Sequence, residues 1–200
     1  MHSVHPTPKF SIITVTYNAE KVLEDTIQSV ISQTYHHVEY IIVDGAPRRY
    51  SLYHRQIPVT DTHRHQRTGQ RTVRCHEQGN LPRRRRLSLF SECGRLLSRR
   101  RYFATDSAQH QWATHFPDVI YGETAIVDKG RHFLHMRRLS TPEKLNWKSF
   151  KQGMLVCHQA FFPRHTLVEP YNLKYRFSAD FDWCIRIMKK ARTLHNTHLT

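Results

Sequence analysis

The stretch from Lys9 to Ala46, KFSIITVTYNAEKVLEDTIQSVISQTYHHVEYIIVDGA, decides the fold. Phe10 to Thr16 is a short β-branched run, the pattern of a strand buried on both faces. Asn18 is placed to cap a following helix, in which Val22, Leu23, Thr26, Ile27, Val30 and Ile31 recur at three- and four-residue spacing along one apolar stripe. Glu20, Glu24 and Asp25 complement the positive end of that helix. A second apolar run, Val38 to Val43, ends at Asp44-Gly45. Strand, helix and strand in this order predict two parallel strands joined by a right-handed crossover.

Downstream of Ala46 the pattern breaks. From Pro47 to about Trp112 no period of two or of 3.6 persists, and the spacing predicts no regular element. The chain carries a formal charge of +15, which on its face suits a polyanionic partner. That charge is concentrated: residues 47–112 hold fifteen Arg, no Lys and four acids, whereas the remainder holds nine Lys, seven Arg and twelve acids. Order resumes at Pro117. Asp118 to Tyr121 and Thr124 to Val127 are strand-like, Asp128-Lys129-Gly130 is a turn signal, and Met154 to Phe162 reads as a buried strand. Ser178 is placed to cap a last helix with Phe181, Cys184, Ile185 and Met188 as its apolar stripe.

Two hundred residues suffice for one core without staples. Cys75, Cys93, Cys157 and Cys184 form no CxxC pair, and neither a signal peptide nor a membrane-spanning run is present, so a reducing, cytoplasmic setting is expected. A basic surface leaves room for peripheral contact with the inner face of a membrane.

The Lys9–Ala46 block closely resembles the opening of family 2 glycosyltransferases. DVIYGETAIVD from Asp118, CHQAFF from Cys157 and FSADFDWCIRI from Phe177 resemble the acceptor half of such enzymes. The resemblance implies an α/β fold of GT-A type, a Rossmann-like, mostly parallel sheet flanked by helices, with its central part disrupted. It divides the chain into residues 1–46, half of the nucleotide-sugar-binding βαβ unit; an out-of-frame, disordered segment 47–112; and residues 113–200 on the acceptor side.

By the same resemblance Thr14, Tyr17 and Asp44 hold the nucleotide-sugar donor, and Asp180 is the catalytic base for a hydroxyl acceptor, a saccharide or lipid-linked saccharide. A carboxylate serves best there if its pocket raises its pKa. His158 is a candidate for contact with the diphosphate or the acceptor; the alternative is a strand histidine satisfied by the backbone. Tyr17 and Asp44 read in isolation are a turn aromatic and a turn acid, and Asp180 and Asp182 are first-turn helix acids. The family implies Mg or Mn on the diphosphate, but no acidic metal motif appears in frame. Surface polysaccharide synthesis is the context carried by analogy with bacterial relatives.

The missing central elements return when the codons are read one nucleotide later. Val73 to Gly79, VRCHEQG, then permits YDAMNKG, and His65 to Val73 permits ISEPDNGLY, which joins it without a gap. Arg48 to Pro58 permits DGTLFIIDRY, and Gly79 to Leu96 permits GISLAAGDYLCFLNAGD. Shifted CGN codons also convert Arg into Asp, Gly and Ala, which accounts for the Arg excess. As written, the chain is expected to be inactive and to fold poorly, because a polar segment replaces sheet strands. Rival classes are a non-catalytic, degenerate glycosyltransferase-like protein and a basic nucleic-acid-binding protein. The second lacks any nucleic-acid motif, and His63, His65, Cys75 and His76 lack zinc spacing.

Overall fold

The computed structural model describes residues 9–35, 38–44, 62–66, 86–92, 97 and 116–198. Strand β1 (Lys9–Thr16), helix α1 (Glu20–Ile31) and strand β2 (Val38–Asp44) form the expected unit, with β1 and β2 parallel and Thr16 opposite Asp44. Two further strands lie within the segment to which the sequence pattern assigned no element. Strand β3 (Thr62–Gln66) pairs parallel with β2, and β4 (Arg86–Glu92) pairs parallel with β1. The sheet order is β3-β2-β1-β4. Successive strands therefore run to either side of β1, and the β1–β4 gap is a topological switch point, where open α/β sheets bind ligands beyond the strands' carboxyl ends.

The remaining strands are β5 (Val119–Tyr121), β6 (Ala125–Val127), β7 (Phe133–Met136), β8 (Phe161–Pro163) and β9 (Leu194–Asn196), with helix α2 (Ala179–Lys190) preceding β9. A second sheet has β5 at its centre, antiparallel to β8 and parallel to β9. Strands β6 and β7 form a separate antiparallel hairpin around the Lys129-Gly130 turn. Strand β8 packs beside β4, which joins the two sheets.

Alternation along β1 and β2 explains why both read as unbroken apolar runs. Phe10, Ile12, Tyr40 and Ile42 face α1 and pack with Leu23, Ile27 and Val30, together with Ile120 and Phe162 from beyond residue 115. Ile13, Val15, Ile41 and Val43 face the other way, onto Trp183, Cys184, Ile187 and Met188 of α2 and onto Phe161 and Tyr121. Each face of the sheet is covered by a helix from a different half of the chain.

Local expectations differ from the structure in four places. Asn18 does not cap α1: it adopts φ 48° and turns the chain after β1, while Ala19 takes the cap position without a side-chain bond. Asparagine tolerates that left-handed backbone better than most residues, which suits it to the bend. The α1 stripe is narrower than the spacing implied, since Val22 and Ile31 are exposed while Thr26 is buried with its hydroxyl donating to the Val22 carbonyl at 3.1 Å. Met154 to Phe162 is not a strand. Only Phe161–Pro163 extends; Gly153 bends away at φ 113° and His158–Ala160 makes a 3₁₀ turn, so this apolar run is buried by irregular chain packed under α2. Ser178 occupies the α2 cap position without donating or accepting a side-chain cap bond.

Candidate active site

Helix α2 is anchored before it can present a carboxylate. Trp183 donates its indole N–H to the Glu169 carbonyl at 2.8 Å, stacks on Tyr171 at 5.4 Å between ring centroids and meets Phe161 edge-on at 6.1 Å. Arg186 donates to Glu169 Oε2 at 2.7 Å, Asp182 Oδ2 at 2.8 Å and the Pro170 carbonyl at 2.8 Å. Asp182 is thereby committed to holding the 169–171 segment on the helix. Of the two acids in the first turn, Asp180 is the one turned to a different partner.

Asp180 Oδ2 lies 3.2 Å from His158 Nδ1, and its Oδ1 accepts the Phe181 backbone N–H at 2.9 Å. His158 is 13% exposed and the Asp180 side chain 35%. Hydrogen bonding to His158 leads burial among the influences on Asp180 and holds its pKa below the ordinary value. The pocket therefore lowers the carboxyl pKa where the sequence reading asked for a rise. Asp180 is ionised at neutral pH, and the imidazole fixes its orientation. The turn carrying His158 packs against both α2 and β4, so the pair sits alongside the strand that borders the switch point. His158 is accordingly a side-chain partner of the carboxylate and not a strand histidine.

At the carboxyl edge of the sheet, Tyr17 is 67% exposed immediately after β1, and Asp44 ends β2 beside it in register with Thr16. Thr14 is different. It is fully buried, and its hydroxyl accepts from the Tyr40 phenol at 3.1 Å, so it ties β1 to β2 and does not present its oxygen at the edge. A buried pair of the same kind, Ser11 Oγ donating to Glu39 Oε2 at 2.8 Å, lies nearer the amino ends of the two strands. Glu92 was not singled out in the sequence, yet it ends β4 opposite Val15 at the same carboxyl edge. The only signal for it was the short Leu87-Ser88-Leu89-Phe90 alternation beside an Arg cluster.

Among the described residues no group of three His, Cys, Asp or Glu side chains could hold a metal ion. The expected Mg or Mn therefore finds no matching ligand set among them. No helix among the described residues is long and apolar enough to cross a membrane. Cys157 and Cys184 are free thiols, and burial pushes Cys184 well above its usual pKa.

A parallel sheet ordered around a switch point, flanked by helices α1 and α2, defines an α/β protein of GT-A type. Solved structures agree on that fold. S. aureus TarS 1–349 superimposes with a TM-score of 0.66 at 14% identity, over 94% of this chain and 57% of that one. Its complexes with UDP and with UDP-GlcNAc superimpose at 0.70 and 0.67. The chain thus spans little more than half the length of these solved structures.

Residues 11–70 match the family model for glycosyl transferase family 2. A PGL/p-HBAD biosynthesis glycosyltransferase of Mycobacterium bovis BCG is 29% identical over 195 residues, covering 90% of this chain and 69% of the relative. Its counterpart in Mycobacterium tuberculosis H37Ra matches to the same extent. Residues 11–70 are thus similar to glycosyltransferase family 2. Both the family model and these relatives align past Ala46, into the Arg-rich segment.

Proposed function

We propose that the chain transfers a glycosyl group from a nucleotide-diphosphate sugar to a hydroxyl acceptor, with Asp180 as the base. The Asp180–His158 pair carries this reading, because a base must be deprotonated and oriented to take the acceptor proton, and His158 secures both while lowering the basicity of the carboxylate. Tyr17 and Asp44 hold the nucleotide at the carboxyl edge of β1 and β2. Asp180 takes the acceptor proton as the oxygen attacks the anomeric carbon, and the nucleoside diphosphate leaves from the opposite face. His158 is a positioning residue: it holds the carboxylate through Nδ1 without touching the reacting atoms. The UDP and UDP-GlcNAc complexes of TarS support a uridine nucleotide as the first donor to assay. Surface glycan or glycolipid synthesis is the setting we assign, at the inner face of a membrane.

We also propose that residues 47–112 are read out of register, so that the chain as written has lost its leaving-group machinery. The test compares this chain with one in which codons 47–112 are shifted by one nucleotide, both assayed for UDP release from UDP-sugars. The restored chain is expected to turn over and the present one to fall short by about a hundredfold or more, the scale on which electrostatic stabilisation of a leaving group acts. Equal activity in both chains refutes the frame reading alone; inactivity in both, with UDP bound, refutes the transferase reading.

A further inference from the structure

A cavity of about 400 Å³ opens along the outer side of α2, lined by Trp147, Phe150, Lys151, Phe181, Ile185 and Lys189. Its volume falls in the range of small-ligand sites. The floor is apolar: Phe150 and Phe181 meet at 5.9 Å between ring centroids, and Ile185 continues the wall one helical turn further. The rim is cationic. Lys189 Nζ lies 5.4 Å and Lys148 Nζ 5.9 Å from the centroid of Trp147, which is itself 38% exposed, and Lys151 lines the mouth.

No carboxylate lines the cavity. The indole face offsets part of the repulsion between the two ammonium groups that share it, and an anion between them would remove the rest. Several lysines around one ring match a phosphate dianion better than a single carboxylate. The apolar face of a pyranose packs against an aromatic plane of this kind, while Phe181 is the residue next to Asp180.

We infer that this cavity is an acceptor subsite for a sugar unit carrying a phosphate, one unit removed from the reacting hydroxyl. The inference rests on the proposed transfer but is tested apart from it. Calorimetric titration of the full chain with glucose 6-phosphate, glucose and inorganic phosphate, each with UDP present at saturation, reads the site directly. Glucose 6-phosphate is expected to bind in the millimolar range and at least about fivefold tighter than either glucose or phosphate.

The variants Lys189→Gln and Trp147→Leu, each with unchanged circular dichroism, are expected to weaken it by about threefold or more while leaving the UDP affinity unaltered. Both residues lie at the surface of the helix and turn, so neither change opens the core. Glucose 6-phosphate binding no tighter than glucose or phosphate, or insensitive to both variants, overturns the subsite. Failure of UDP itself to bind counts against the donor reading and leaves the comparison between the sugars to decide this one.

Discussion

Asp180 combines the contact of a helix-opening acid with a second side-chain partner. Its Oδ1 accepts from the first turn of α2, as a helix-opening acid does, and its Oδ2 faces His158. The nearby Asp182 has no such second partner beyond Arg186 in the contacts that hold the helix. In an active, frame-restored chain, Asp180→Asn is expected to lower turnover by about 10²–10⁴-fold, the range of a lost general base, with UDP affinity retained.

His158→Ala tests positioning in a different way. Because His158 lowers the Asp180 pKa, its removal moves the acid limb of the pH–rate profile to higher pH, which a purely structural defect would not do. The same sign governs stability: a depressed folded pKa contributes above the ordinary carboxylate range and is lost as pH falls through the folded value. Urea midpoints of the wild type and Asp180→Asn should therefore converge as pH drops below about 4. Asp180 was singled out in the sequence from FSADFDW, but His158 as its partner was not. Twenty-two positions separate them, and the run that holds His158 looked like a strand until Gly153 and the 3₁₀ turn redirected it.

Elements were legible where one period ran for several residues and where burial followed it. Strands β1 and β2 lie within a residue of their expected bounds, and both long helices begin at or beside the cap positions read for them. Strands β3 and β4 were not anticipated, because THRHQ carries no apolar alternation and RLSLFSE follows an Arg cluster that obscures it. Partnering by β1 and β2 supplies what their own sequences lack. The α1 stripe was overdrawn at its margins, and that difference is measurable. Leu23→Ala should cost about 2–5 kcal/mol by urea unfolding, as a buried leucine does, whereas Val22→Ala and Ile31→Ala, both exposed, should each cost about 0.5 kcal/mol or less. On α2, Trp183→Ala should cost about 3–5 kcal/mol, since it removes the stacking on Tyr171 and the bond to Glu169 together.

Across the whole molecule, neither core belongs to one half of the chain. The α1 side contains Ile120 and Phe162, and the α2 side contains Ile13, Val15, Ile41 and Val43. Residues 9–44 and 116–198 are therefore expected to unfold together, and Ile13→Ala should shift the tryptophan fluorescence and far-ultraviolet transitions by the same number of degrees. Separate transitions for the two probes would show two independently folding blocks. The sequence pointed to both blocks but not to this interleaving, because periodicity shows which face of a strand is apolar and not which later segment covers it.

The placement of α2 also has a consequence for how the chain is made. Val43 leaves the ribosome 140 positions ahead of Trp183, an interval on the order of ten seconds at ordinary elongation rates. Throughout it, one side of the nascent βαβ unit can bury itself against α1 while the other stays wet. The newborn protein must pass through a stage with half of its apolar sheet uncovered, when chaperone holdases would find their best target in Ile13, Val15, Ile41 and Val43.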